Sequence, residues 1–314
     1  MKKNIFAAIM LLAALAYSCV KVEPINDNNT VVIVDDNPDD EGEIVEIPTM
    51  SVADFVFEED DPDTKTMLTF IETGVRFTFI DGERLGLFPY AVENAPQMPF
   101  FLTGIDATTC TLKCPGFALK AGVDYGAYYP YDYTDDLQAT AVPVNYTGQT
   151  QTSVDGSTFN LKADYLLANA KPQGGNCHFQ MSHIGSLVII DVTAPQSSTY
   201  TELSLNSESP SFVTSGTMDV GQSITLPSDG KPAQGIVIAN TTTSDTISLA
   251  IGGDSGIELT ASQTYRFCLM VAPVNLSSAT LTLKLKNSSS VEYSTSIAGK
   301  NFKQGYAYRY TCSF

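Results

Sequence analysis

Tryptophan is absent from the 314 residues, and histidine occurs only twice, at His178 and His183. The first absence removes the strongest side chain for stacking on a sugar ring. The second leaves little material for a histidine-based metal site or for acid–base catalysis. Basic residues are also scarce: 17 Lys and Arg stand against 35 Asp and Glu, a net charge of −18. Nucleic-acid binding needs basic surface to displace counterions, so no nucleic-acid partner is expected. After the first nineteen residues no apolar run reaches the length of a membrane-spanning helix. Sustained helical periodicity is missing as well. LKADYLLANA (161–170) alone could form a short helix, or equally a loop.

What is present begins at the N-terminus. Met1-Lys2-Lys3 is positive, residues 5–16 (IFAAIMLLAALA) are apolar but short for a bilayer, and Ser18 precedes Cys19. That is the pattern of a signal peptide over 1–19. Leu15-Ala16-Tyr17-Ser18-Cys19 is similar to a bacterial lipobox, with Ala16 where such boxes prefer Leu. Acylation of Cys19 is expected, plain secretory cleavage being the alternative. Several acyl chains, at about 0.8 kcal/mol per buried methylene, hold a protein where a single chain would not. The rest of the chain is then expected to be extracytoplasmic and tethered to a membrane.

The negative charge is concentrated near that tether. Residues 20–63 hold fifteen acids against the single base Lys21, whereas the chain from 64 onward holds twenty acids and fourteen bases. A segment so charged repels itself and buries no core, so 20–49 is expected to be a disordered acidic tether. Setting Cys19 aside leaves Cys110, Cys114, Cys177, Cys268 and Cys312, an odd number at spacings that define no disulfide framework. Cys110 and Cys114 in the alternating CTLKC would share a strand face roughly 13 Å apart, too far to bridge. Buried structural thiols are the expectation.

From residue 50 the chain reads as β almost throughout. SVADFVF (51–57), VRFTFI (75–80), RLGLFPY (84–90), SLVIIDV (186–192), TISLAI (246–251) and TYRFCLMVAP (264–273) are rich in β-branched and aromatic residues. Turn signals such as Asp81-Gly82, Asp229-Gly230 and Gly252-Gly253 separate them. Many short strands mean a sandwich or a barrel. Lys171-Pro-Gln-Gly-Gly-Asn176 marks the candidate border between two β domains, 50–176 and 177–314. In the last strand Phe302, Tyr306, Tyr308, Tyr310, Cys312 and Phe314, with Gln304, alternate with Lys303, Gly305, Ala307, Arg309, Thr311 and Ser313. It either packs in its own sandwich, the reading the sequence favours, or detaches to insert into a neighbour.

Several patterns imitate chemistry. Gly253-Asp254-Ser255-Gly256 matches the nucleophile segment of chymotrypsin-like proteases, yet neither histidine has the surroundings of a catalytic base; a hairpin turn is expected. On a strand, Cys177 and His183 face one way and His178 the other, so they do not converge on a metal. Asp35, Asn37, Asp39 and Glu46 imitate a calcium loop, but Asp40 stands where glycine is required. Tyr125, Tyr128, Tyr129, Tyr131 and Tyr133 read as a strand and a Pro130 turn, with a sugar-stacking platform as the alternative. No enzyme, cofactor or metal site is expected.

A family resemblance rests on the order of several short pieces: Thr64-Lys65-Thr66, FIDGERLGLFPY (79–90), YYPY (128–131), QTQT (149–152), ADYLLA (163–168), FQMSHIGSLVIIDV (179–192) and GYAYRYTCSF (305–314). Together these resemble the fimbrillin-like, or type V pilin, family of Gram-negative outer-membrane lipoproteins over roughly residues 60–314. Phe79 stands where that family usually has Trp. The resemblance implies an all-β fold of two transthyretin-like β-sandwich domains in tandem. It also implies polymerisation into a surface fimbrium by donor-strand exchange, with other pilin subunits, a maturation protease and the outer membrane as partners. SVADFVF (51–57) would be the strand displaced after cleavage, and 302–314 a possible donor. Lys65 would be the maturation site, although the family's usual residue is Arg. Arg76 is the other basic candidate, inside the alternating run Val75, Phe77, Phe79 and expected to be protected by a sheet. Asp245-Thr246-Ile247 resembles the short O-glycosylation motif of such bacteria. The alternative is a monomeric surface lipoprotein that binds glycans or host proteins.

Overall fold

The computed structural model describes residues 20–25, 30–35, 44–45, 48–57, 69–71, 74–76, 79, 81–90, 95–106, 109–115, 117–134, 136–157, 159, 163–227 and 231–314. Every named element among them is a β-strand, as the β-branched and aromatic runs require. The second half of LKADYLLANA, Leu166–Ala170, is a strand.

The first core lies inside a closed barrel. Around it run Thr109–Lys113, Thr49–Val52, His178–His183, Leu166–Ala170, Tyr125–Tyr129, Arg84–Pro89 and Met98–Asp106. Met50, Leu87, Phe100, Leu112, Tyr125 and Phe179 fill it. Gly86 shows why RLGLFPY needs its glycine: a Cβ there would lie 1.9 Å from the Tyr128 ring on the next strand. Closure removes the exposed edges an open sheet would leave.

The second core is enclosed by two larger sheets that share one hydrophobic cluster. One runs Thr264–Val271, Ser186–Thr193, Tyr306–Ser313, Phe55–Phe57, Gly74–Arg76 and Thr69–Ile71. The other runs Gln149–Gln151, Thr246–Ile251, Ser198–Asn206, Thr280–Asn287 and Glu292–Ala298. Alternation is clean in TLTLKLKN (280–287), where Leu281, Leu283 and Leu285 point inward. Val142–Asn145, Phe212–Met218 and Ile238–Ser244 form a smaller sheet beside them.

Three features differ from the sequence reading. The two cores do not divide at residue 176: His178–His183 belongs to the barrel, while Phe55–Phe57 and Gln149–Gln151 join the second core. A period of two identifies which face of a strand is buried, not which strand lies beside it. Residues 252–256 are not a hairpin. Thr246–Ile251 and Ile257–Leu259 pair in succession along Ser198–Asn206, and Gly252–Gly256 is an excursion between them, with Gly252, Gly253 and Gly256 at positive φ. Within the acidic stretch, Val20–Ile25 pairs with Thr30–Asp35, which runs parallel to Phe117–Lys120. The β-branched runs VKVEPI and TVVIVD thus form strands where the charge density alone implies extended chain.

Ser186–Thr193 is buried along both faces, and paired strands cover both of its edges. Its one acid, Asp191, accepts hydrogen bonds from Arg266 Nε (2.8 Å) and Arg309 Nε (2.7 Å), one from each neighbouring strand. Replacing Asp191 with Asn is expected to cost about 1.5–3 kcal/mol in urea unfolding, the range for hydrogen bonds to charged groups. A loss below about 0.5 kcal/mol would mean that the arginines do not hold these strands.

All five described cysteines are free and buried. Burial pushes the Cys110 and Cys114 thiols up to about 11 and those of Cys177 and Cys268 up to about 12. Thiolate is the reactive form, so these five should stay silent to a colorimetric thiol reagent at pH 8 and all react once the protein is unfolded. A fast-reacting native thiol among them would contradict that packing.

Candidate strand-exchange site

Residues 49–57 pass from one core to the other. Thr49–Val52 lies between Thr109–Lys113, antiparallel, and His178–His183, parallel, with Met50 opposite both Cys110 and Phe179. Phe55–Phe57 lies between Gly74–Arg76, antiparallel, and Tyr306–Ser313, parallel. SVADFVF is therefore not one strand: its two halves close gaps in two different sheets. Met50 and Val52 are buried in the barrel and Phe55 in the second core. Fully burying such a side chain is worth about 1.5–3 kcal/mol each, so the three hold the segment firmly. Backbone bonds run along it, from Thr49 N to the Cys177 carbonyl (2.9 Å), Ala53 N to Met181 (3.2 Å) and Val56 N to Gly305 (3.0 Å).

Side chains pin the crossing point. His183 Nε2 lies 2.8 Å from the Ala53 carbonyl, which can only accept, so Nε2 carries a proton. Its Nδ1 lies 2.8 Å from Asp164 Oδ1, and both side chains are buried. Burial raises the Asp164 carboxyl above its ordinary range, and the neighbouring imidazole opposes the rise. The Phe55 ring stacks on His183 at 3.7 Å between centroids. On the other flank Arg76 grips Asp54 through two bonds, of 3.1 and 2.9 Å. His178 is exposed and bonds Thr49 Oγ1 and Ser51 Oγ, each at 2.8 Å. The two histidines thus hold this segment from different sides and meet no shared metal position.

The C-terminal strand is interior. Tyr306–Ser313 pairs in parallel with Ser186–Thr193 from Leu187↔Ala307 to Thr193↔Ser313 and takes Phe55–Phe57 on its other side. Tyr308, Tyr310 and Cys312 are buried while Thr311 and Ser313 face solvent, as the alternation requires. The strand packs in its own core, the reading its sequence favours.

One device escaped sequence reading. The buried amides of Gln149 and Gln151 act as a substitute strand on the outer edge of Thr264–Val271. Gln149 accepts from Met270 N (2.7 Å) and donates to the Met270 carbonyl (2.7 Å); Gln151 accepts from Cys268 N (2.9 Å) and donates to the Arg266 carbonyl (2.8 Å). That edge is closed to a new strand. The signal was QTQT, whose alternation puts both amides on one face.

Cys19, Lys65 and most of the calcium-like stretch lie outside the described residues, whereas Arg76 sits in a sheet. Tyr125, Tyr128 and Tyr129 are buried, so the tyrosines form no continuous platform; only Tyr133 is well exposed, at 71%. Thr246 Oγ1 is engaged by Asn206 (2.8 Å). A cleft of about 580 Å³ opens where the barrel meets the second core, lined among others by Glu83, Arg84, Tyr131, Tyr133, Asn145 and Tyr165.

Among known proteins, the sequence profile of the fimbrillin-like family matches residues 117–314. The chain belongs to the fimbrillin-like family. A fimbrillin-like fold is also found in solved structures. A candidate cell adhesion protein from Bacteroides ovatus aligns at 15% identity over 88% of this chain and 93% of its own, with a TM-score of 0.52. One from Bacteroides uniformis aligns at 13% identity over 88% and 94%, with a TM-score of 0.50. The tip fimbrial protein Mfa3 from Porphyromonas gingivalis aligns at 8% identity over 86% and 94%, with a TM-score of 0.39. No curated protein matches by sequence. The matched family is fimbrial in kind.

Proposed function

We propose that this fimbrillin-like chain is a structural subunit of a surface fimbrium. It is exported as a lipoprotein precursor acylated at Cys19, held at the outer membrane, matured by proteolysis at Lys65 and polymerised by donor-strand exchange. The observation that carries the reading is the double insertion of residues 49–57. Removing this one segment opens the barrel between Thr109–Lys113 and His178–His183 and the second sheet between Gly74–Arg76 and Tyr306–Ser313. Each gap presents backbone groups on both sides and pockets at alternate positions, which is what an incoming strand needs. Lys65 follows the segment in sequence, before the strand Thr69–Ile71. Its cleavage severs 49–57 from the body, and Arg76, tied to Asp54 in a sheet, is the poorer substrate.

The subunit's partners are other pilin subunits, the maturation protease and the membrane. Precursors with Lys65→Ala, expressed in the native host, should remain full length and monomeric while the parent chain gives SDS-resistant ladders. Ladders from the Lys65→Ala chain would refute Lys65 as the trigger. A second reading, a monomeric surface lipoprotein that binds glycans or host proteins, is favoured by the cleft beside Tyr133.

A further inference from the structure

The cleft between the barrel and the second core has the build of a ligand site. Its volume of about 580 Å³ falls inside the range of small-molecule pockets. Four different segments meet there: Gly82 to Arg84 entering the strand Arg84–Pro89, Tyr129 to Tyr133 at the end of the strand Tyr125–Tyr129, Asn145 to Gln149, and Ala163 to Tyr165. Tyr133 stands at 71% exposure, the one large aromatic so exposed among the described residues. It is not loose, because Tyr131 meets it edge-on at 4.9 Å and the Arg84 guanidinium lies 5.5 Å from its ring centre.

Arg84 is the second feature. Its guanidinium lies 4.4 Å over the Phe101 ring, and among the described residues it takes part in no ion pair and donates no side-chain hydrogen bond. Five N–H groups are thus held by aromatic stacking and turned to no acceptor among the described residues. Asn145, on the lining, accepts on its Oδ1 from Thr147 N and Oγ1 (2.8 and 2.7 Å), and its Nδ2 donates to no acceptor among the described residues. The rim also carries the Glu83 carboxylate, and the chain from residue 64 onward is itself net acidic, twenty acids against fourteen bases, so an anionic ligand is disfavoured. A ring with one apolar face and a circle of hydroxyls satisfies all of these groups at once.

We infer that this cleft binds a neutral pyranose unit of a glycan, its C–H face on Tyr133 and its hydroxyls accepting from Arg84 and Asn145. The inference gives the adhesive part of the function above a location, and it does not depend on strand exchange. The test is a printed array of neutral, sialylated and uronate-containing oligosaccharides, probed with the full-length uncleaved chain in detergent and followed by titration of the best binder. Parallel titrations use Tyr133→Ala and Arg84→Met; Tyr133 is too exposed for its loss to unfold the protein. Binding to a neutral glycan, weakened at least about tenfold by each substitution, is expected. Three results would overturn it: no neutral glycan bound, binding indifferent to Tyr133→Ala, or binding confined to acidic glycans, which would make Arg84 a carboxylate receptor. Because the uncleaved monomer is used, failure of the fimbrial reading would leave this outcome unaffected.

Discussion

Phe55→Ala is expected to cost about 3–5 kcal/mol of stability, the usual range for truncating a buried aromatic. Phe55 is fully buried and is the only side chain of residues 49–57 that both enters the second core and stacks on the His183 ring. Its neighbour Val56 is half-buried in the same two-sided ladder, so Val56→Ala should cost only about 1 kcal/mol. Equilibrium urea unfolding of the two variants separates side-chain anchoring from ladder bonds. Equal losses would mean that backbone pairing alone retains the segment. A loosened segment should also leave more readily once the chain is cut, so cleaved Phe55→Ala should polymerise faster than the cleaved parent.

His183→Leu is the second large effect, because it leaves Asp164 buried without its partner. Removing one member of a buried pair costs about 3–5 kcal/mol, whereas replacing both with apolar residues is often neutral. The double variant Asp164→Leu with His183→Leu should therefore be more stable than the single one. The pH dependence has a definite sign. Burial raises Asp164 from its ordinary 3.8, and His183 is the group that opposes the rise. Without the imidazole the folded carboxyl binds its proton more tightly than the unfolded one. That stabilisation is complete below about pH 4 and is lost as pH rises through the folded pKa. His183→Leu should accordingly be weaker at pH 7 than at pH 4.5 relative to the double variant, which lacks the carboxyl. A constant difference between the two variants across that range would show that Asp164 does not hold the proton.

Much of this molecule was legible in its residues. The all-β fold followed from β-branched and aromatic runs between turn residues, the free thiols from an odd count at unhelpful spacings, and the interior C-terminal strand from its alternation. The protection of Arg76 followed from the run around it, and Asp54 now gives it a partner. What stayed hidden was pairing. SVADFVF alternates well enough to pass for one strand, and nothing local says that it changes sheets at Ala53-Asp54. His178–His183 likewise looked like the head of a second domain, because register partners 129 residues away leave no local trace. The amide caps of Gln149 and Gln151 were hidden for the opposite reason: polar side chains read as surface, yet these are buried because they replace backbone.

The most direct test of the central claim is the N-terminal sequence and intact mass of subunits excised from SDS-resistant ladders on the cell surface. Strand exchange after maturation at Lys65 predicts chains that begin at Thr66 and carry no covalently attached residues 49–57. Ladders built from chains that still begin at acylated Cys19 would contradict it, because both gaps would then remain filled by the subunit's own segment.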